Sequence, residues 1–353
     1  MKSVYYIDMA TKIAINGFGR IGRAFMRVAH ERPEFEVVAI NDLGDAENLG
    51  YLLKYDSVYG RAPFSVEAGE HSLIVDGKQI PVYAEADPAK LPWGKLGIDI
   101  VVESTGFFTS FEKAKVHLSA GAKRVVITAP VKDEAPEGIA GATILVGIND
   151  DKFEGAMITS NASCTTNAAS PLIQILEEGL GIEKAVLSTT HGYTASQSLV
   201  DGPAKKAKFK EDFREGRAGA HNIVPSSTGA AVAVTKAVPA LAGKFDGISL
   251  RVPIIAGSIA DVTFISKRPT SAQEVNDLLK KAAADERWKP VFSVTDEPLV
   301  SSDIVGSAFA SIADLSLTRV IDGNLVKVMA WYDNEMGYTH ALVEHVARLA
   351  KHI

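Results

Sequence analysis

A single cysteine among 353 residues stands where a thiol could do chemistry. In the stretch NASCTTN, Cys164 is flanked by Ser163 and Thr165, with Asn161 and Asn167 just outside. A cysteine that merely fills a core prefers apolar company. Here small hydroxyl residues able to cap free amides lead into Pro171, Leu172, Ile173 and Leu176, the pattern of a helix start. A thiol in a helix's first turn lies in a positive field, so the expectation is a pKa below about 8.5 and a thiolate nucleophile. Such a nucleophile needs an imidazole nearby. Of the eight histidines, His191 is the candidate, because residues 184–194 (KAVLSTTHGYT) read as a strand that ends beside it at Gly192 and Thr194.

Groups suited to anions follow. SSTGAA (226–231) and SLRVP (249–253) offer hydroxyls, a glycine and Arg251. Between them and the histidine, residues 201–217 form a long charged loop opened by Gly202 and Pro203.

A second constellation lies near the start. Residues 12–16 (KIAIN) form a short apolar strand, followed directly by Gly17, Gly19 and Gly22 in the G-x-G-x-x-G pattern and by a helically spaced AFMRVAHE. In that context the first glycine permits a tight turn, the second lets backbone approach a pyrophosphate, and the third lets helix pack on strand. The phosphates then meet the helix N-terminus. EVVAIND, the next strand, ends in Asp42, twenty residues beyond Gly22 and so placed to bind an adenosine ribose.

The elements that would hold these residues are legible as continuous apolar runs at 98–105, 124–130, 143–149 and 157–163, as expected for buried parallel strands. A crossover helix is expected over 110–122, with Gly121 near its end. Ligands of such a doubly wound sheet bind beyond the carboxyl ends of its strands, and Cys164 falls directly after the last of them, at that edge. From Ile248 onward the alternation is that of antiparallel strands at 258–267, 307–320 and 324–332, with Asp322-Gly323 as a turn. Ser271 and Glu274 form a capping box for a helix over 272–284. Tyr338, Leu342, Val346 and Leu349 share one face of a terminal helix that packs back on a sheet. The expected fold class is an α/β Rossmann-type doubly wound parallel sheet plus an α+β catalytic domain with a mainly antiparallel sheet. Residues 1–163 would form the first domain, joined by the C-terminal helix of about 334–353, and 164–333 the second.

A length of 353 residues suits two domains with proper cores, and 46% hydrophobic against 23% charged residues excludes a disordered or fibrous chain. The net charge of -6 speaks against a nucleic-acid binder with a general basic surface. One cysteine allows no intrachain disulfide, and no apolar run approaches the length of a membrane span, so a cytoplasmic location is expected without a dedicated membrane site. Residues 1–11 read as a short extension.

With NGFGRIGR, LLKYDSVYGR, SNASCTTN, HGYT, SSTGAA, RVP and WYDNEMGY in that order, residues 12–353 resemble the phosphorylating glyceraldehyde-3-phosphate dehydrogenases. The resemblance implies Cys164 as nucleophile and His191 as base, with NAD as cofactor and no metal. It implies phosphate contacts from Ser163, Thr165, Thr194, Arg214, Thr228, Gly229 and Arg251. Cofactor contacts would come from Gly17, Gly19, Arg20, Ile21, Gly22, Asp42, Thr105, Thr128 and Asn334, the last at the nicotinamide. Inorganic phosphate is the implied second substrate and a homotetramer the implied assembly. Two departures stand out. Ala168 occupies a place where the family commonly has a second cysteine, and the 202–217 loop is about five residues longer than usual, KAKFKED accounting for the excess. Erythrose-4-phosphate dehydrogenase, which uses water as acceptor, and a catalytically idle NAD-binding interaction protein are the alternatives.

A carboxylate at Asp42 accepts hydrogen bonds from a free 2′-hydroxyl and repels a 2′-phosphate, so NAD is expected to be preferred strongly over NADP. Leu43 and Pro203 agree, since NADP-using members tend to be polar there. Measured kcat/KM for the two cofactors checks this: equal values overturn it, and Asp42→Ala is expected to narrow the gap.

Overall fold

The computed structural model describes residues 10–204 and 213–353. Most of the expected extension and the KAKFKED segment therefore lie outside the described residues. The chain divides into two compact units, one of residues 1–142, 151–161 and 342–353, the other of 143–150 and 162–341.

In the first unit, strands Thr11–Asn16, Phe35–Asn41, Lys78–Tyr83, Ile100–Glu103, Arg124–Ile127 and Ile158–Ser160 form a parallel sheet. The chain starts in its middle, at Thr11–Asn16, and moves first to one side through Phe35–Asn41 and Lys78–Tyr83, then to the other through Ile100–Glu103 and Arg124–Ile127. That reversal opens a crevice at the carboxyl ends of the strands, beside the first one. The central strands are buried on both faces, Ile13, Ile15, Ile100, Val101, Val102, Val125 and Val126 among them, which is why they read as unbroken apolar runs. Two antiparallel strands, Ser72–Val75 and Val66–Gly69, extend one edge.

Three expectations need correction. The apolar run 143–149 is not a strand: only Gly141–Thr143 pairs, and the chain then turns. Gly147 adopts φ +82°, Asp150 accepts from its N–H, and the Asn149 side chain accepts from Leu145 N while donating to Thr143 O. These side chains supply the backbone partners a sheet would have given. The crossover over 110–122 is two short helices, Phe111–Ala114 and Val116–Ser119, rather than one. Within 307–320 only Ser311–Asp314 and Arg319–Ile321 are strands, because Asp314 caps an intervening 3-10 turn through Ser316 N.

The second unit is a mixed sheet in the order Val224–Ser227, Phe245–Val252, Ile182–Gly192, Ser258–Ser266, Leu325–Tyr332, Ser311–Asp314 and Phe292–Thr295. Its pairs are antiparallel except Ile182–Gly192 with Phe245–Val252 and Phe292–Thr295 with Ser311–Asp314. Helix Cys164–Leu180 buries Ala168, Ala169, Leu172, Ile173 and Leu176 in the core of this unit, with Val262, Phe264 and Val328. Ser271 caps helix Ala272–Ala283 through Glu274 N. In the terminal helix Met336–Ala350, Leu342, Val346 and Leu349 are fully buried.

The glycine turn is sterically specified. A Cβ at Gly22 would stand 2.2 Å from the carbonyl oxygen of Gly17, a backbone atom without freedom to retreat. Gly22→Ala is therefore expected to distort the turn and raise the Kd for NAD by on the order of 10-fold or more while the second unit stays folded. Titration of NAD against the variant checks this, and wild-type affinity would overturn it.

Candidate active site

The strand Ile158–Ser160 delivers the chain to Cys164 through a backbone reversal. Ala162, fully buried, sits at φ +54°, a left-handed conformation costing about 1–2 kcal/mol for a residue with a Cβ. Ser163 follows in extended conformation and caps the helix, its Oγ accepting from Thr166 N at 3.1 Å. Such a cap is worth about 1 kcal/mol. Cys164 is thus the first helical residue, half-buried.

His191 reaches it from the penultimate position of strand Ile182–Gly192, with Nε2 3.3 Å from Sγ. The register of the neighbouring strand sets Arg251 beside His191, and Val224 pairs Arg251 from the far side. Arg251 Nη1 approaches His191 Nδ1, and both nitrogens face the carbonyl oxygen of Gly192, at 3.2 and 2.6 Å respectively. The carbonyl only accepts and the guanidinium only donates, so the two neighbours of Nδ1 favour opposite tautomers. With the ring's hydrogen on Nδ1 and directed at Gly192 O, Nε2 turns a lone pair to the thiol, the tautomer a general base requires.

The electrostatics correct the expectation of a lowered thiol pKa. Burial pushes the Cys164 thiol up, and Arg251 together with the hydroxyl and amide of Thr165 offsets this only in part. Burial and the adjacent Arg251 cation push His191 down to about 3. Desolvation outweighs the helix field here, and both shifts favour thiol and neutral imidazole over the ion pair.

Sequence reasoning missed Tyr332. Its hydroxyl lies 2.9 Å from Thr165 Oγ1 and 2.7 Å from Thr189 Oγ1, and its ring meets His191 edge-on at 5.9 Å between centroids. It joins the helix of Cys164 to the strand of His191, and burial pushes its phenol well above the ordinary value. The alternating pattern of 324–332 marked Tyr332 as one of the strand's alternating residues, but nothing in the sequence paired it with two threonines. Ser258 was also missed: it accepts from Gly192 N at 3.1 Å and donates to Asn334 Oδ1 at 2.8 Å.

The remaining candidates make local contacts. Thr165 faces Tyr332, Thr194 Oγ1 is 3.0 Å from Ser196 Oγ, and Thr228 Oγ1 accepts from Ala230 N ahead of helix Ala230–Ala237. Gly229 has open space where a Cβ would be. Arg214, itself exposed, opens a 3-10 turn, Arg214–Gly216, whose last residue is buried.

In the first unit the glycine turn fits a dinucleotide. Gly17 adopts φ +92° with Thr105 N packed against it, and Gly19, the N-cap of helix Arg20–Ala29, has nothing within 4 Å of an added Cβ. A glycine cap offers the first amides no side-chain acceptor, which leaves that role to a phosphate. Arg20 turns its guanidinium to Asp56, at 2.7 and 3.3 Å, so a pyrophosphate would meet its backbone and that of Ile21. Asp42 accepts from Phe18 N and Gly44 N, which orients its carboxylate at the strand end. Thr128 donates to Glu103 O through both N–H and hydroxyl.

Because burial raises the thiol, the rate of Cys164 alkylation by iodoacetamide is expected to climb through pH 8 and beyond. Arg251 stabilises the thiolate, so Arg251→Gln is expected to move that profile further alkaline. An alkylation rate already level below pH 7 would reveal an ion pair and overturn the assignment of a neutral resting pair.

Two family models match the chain. The NAD binding domain of glyceraldehyde 3-phosphate dehydrogenase matches residues 11–111, and the C-terminal domain of glyceraldehyde 3-phosphate dehydrogenase matches 163–334. A glyceraldehyde-3-phosphate dehydrogenase of Thermotoga maritima is 49% identical over 343 residues, 96% of this chain and 99% of that one. Those of Mycobacterium avium and Clostridium acetobutylicum are 48% and 47% identical over 97% and 96% of this chain, and 99% and 98% of their own lengths. The chain belongs to the glyceraldehyde-3-phosphate dehydrogenase family.

Proposed function

We propose that the chain oxidises D-glyceraldehyde 3-phosphate to 1,3-bisphosphoglycerate with NAD and inorganic phosphate, through a thioester on Cys164. The contact between Cys164 Sγ and His191 Nε2 carries this reading. Nε2 takes the thiol proton as Sγ bonds to the aldehyde carbon and returns it to the carbonyl oxygen, giving a hemithioacetal hydroxyl and a neutral imidazole. NAD, held by the glycine turn of residues 17–22 and by Asp42, supplies the hydride acceptor. His191 removes the hydroxyl proton as the carbon is oxidised to the thioester. An oxygen of inorganic phosphate then attacks that carbon, the C–S bond breaks, and the acyl phosphate leaves as the protonated His191 returns its proton to Sγ and restores the thiol. The Cys164 amide at the helix start stabilises the oxyanion of both addition steps.

Arg251 explains how so weak a base can serve. Burial depresses His191 most and the Arg251 cation adds to it; a substrate phosphate drawn to Arg251 neutralises the second contribution. The imidazole becomes a stronger base when substrate is present. Ser163, Thr165, Thr194, Arg214, Thr228 and Gly229 complete the phosphate-binding set in this reading, and Asn334 meets the nicotinamide. A homotetramer and a cytoplasmic location also belong to it. Exposed Val186, Val232, Ile248 and Leu325 on the second unit suit self-association. Among the described residues no helix is long and apolar enough to cross a membrane.

NADH formation from glyceraldehyde 3-phosphate, with and without inorganic phosphate, tests the reading. Phosphate is expected to be required for turnover; phosphate-independent oxidation would favour water as acceptor, and no oxidation would favour an idle binding protein. Cys164→Ser is expected to abolish turnover with NAD binding kept. His191→Asn is expected to lose on the order of 10² to 10⁴ in rate with an altered pH profile. Normal turnover in either variant would sink the assignment.

A further inference from the structure

Beneath the glycine turn, the first unit buries a carboxyl group that the proposed chemistry does not use. Glu103 ends the strand Ile100–Glu103 and is 2% exposed. Four donors converge on it. Thr105 gives its N–H at 2.9 Å and its hydroxyl at 2.5 Å to Oε1, while Asn16 Nδ2 and His117 Nε2 approach Oε2 at 2.5 and 3.0 Å. Trp93 fixes the histidine's tautomer. Its indole N–H can only donate, and it donates to His117 Nδ1 at 3.1 Å, so the ring hydrogen lies on Nε2 and points at the carboxylate.

The chain of bonds continues sideways. Asn16 Oδ1 accepts from Asn41 Nδ2 at 2.7 Å, and Asn41 in turn exchanges two bonds with the Glu85 backbone. Asn16, Asn41 and Glu103 end three adjacent strands. Each immediately precedes a segment that faces the crevice: Gly17, Asp42, and Ser104 with Thr105. The coupling to the turn is steric as well. A Cβ at Gly17 would stand 2.6 Å from Thr105 N, and Ser104 Oγ donates to Gly17 O at 2.6 Å. Where Glu103 puts Thr105, the glycine turn must follow.

We propose that Glu103 is the positioning residue of the cofactor site, its buried carboxylate locking the ends of three strands and, through Thr105 and Asn16, setting the glycine turn that receives NAD. The inference rests on the reading of this sheet edge as the NAD site and uses nothing in the second unit. A carboxylate is required rather than any polar group of similar shape. All four partners donate, so an amide at this place sets its own N–H against at least one donor.

The test compares Glu103→Gln, Thr105→Val and Thr105→Ser with wild type. NAD Kd is measured by titration, together with KM and kcat, thermal stability, and the rate of Cys164 alkylation without NAD. Glu103→Gln is expected to raise the NAD Kd on the order of 10- to 100-fold, the effect of one buried unpaired donor. KM for NAD should rise with it, with kcat and the KM for the aldehyde little changed and Cys164 alkylation unaltered. Thr105→Val, which keeps the branched shape but deletes a donor, should weaken NAD binding less, and Thr105→Ser should restore it. Wild-type Kd in Glu103→Gln overturns the proposal, as does a loss of NAD affinity and Cys164 reactivity together in step with a fall in Tm. Should Glu103→Gln not fold, equal Kd values for Thr105→Val and wild type overturn it instead. Wild-type protein that binds NAD without oxidising the aldehyde would count against the proposed reaction, and the Kd comparison would still decide the role of Glu103.

Discussion

Holding an imidazole unprotonated beside a guanidinium, inside the protein, is the constraint on which the catalytic chemistry depends. Arg251 is brought to His191 by strand register, and the two share one acceptor, the Gly192 carbonyl. A protonated His191 would be a second cation in the same buried space. Burial first, and the Arg251 cation second, hold the proton affinity of this base low, and the group that faces it is the Cys164 thiol. Tyr332 and Ser258 matter because they fix the two strands and the helix start that make this arrangement.

Much of this was legible in the sequence where local chemistry and tertiary structure ask for the same thing. Gly17 and Gly22 follow a strand and open a helix because backbone must pass close to backbone there and no other residue type fits, while Gly19 leaves open space at the helix end. Ser163 reads as a cap and is one. The buried strands at Ile13–Ile15 and Val101–Val102 declare themselves by unbroken apolar runs. Where reading failed, side chains had replaced the sheet. Residues 144–149 are as apolar as a strand, yet Asn149 and Asp150 satisfy the backbone locally, and their polar side chains at the end of the run were the only hint.

The thiol's pKa failed for a different reason. A helix start is a local property that sequence shows, whereas desolvation is set by everything packed around the sulfur, and Arg251 lies 87 residues away in the chain. The same holds for Glu103. Its strand position was visible, but four donors from Asn16, Thr105 and His117 converge on it only after the sheet forms. Pairwise chemistry at long sequence separation is what a single sequence conceals.

The two helix starts show one device put to opposite ends. In each, a strand runs into a left-handed residue, Gly17 at φ +92° or Ala162 at φ +54°, and then into an N-cap and a helix. At Arg20–Ala29 the cap is Gly19, which has no side chain, so the amide end stays available to a ligand that brings its own oxygens. At Cys164–Leu180 the cap is Ser163, whose hydroxyl closes on Thr166 N. That closure takes one amide from the competition and leaves the Cys164 amide for the charge that, in the proposed reaction, exists only while substrate is bound to sulfur. Ground-state thiolate would gain from an open cap, but an oxyanion formed during reaction gains from donors already fixed in place. The raised thiol and the closed cap are thus consistent with each other: the helix end is arranged for the addition step rather than for the resting nucleophile.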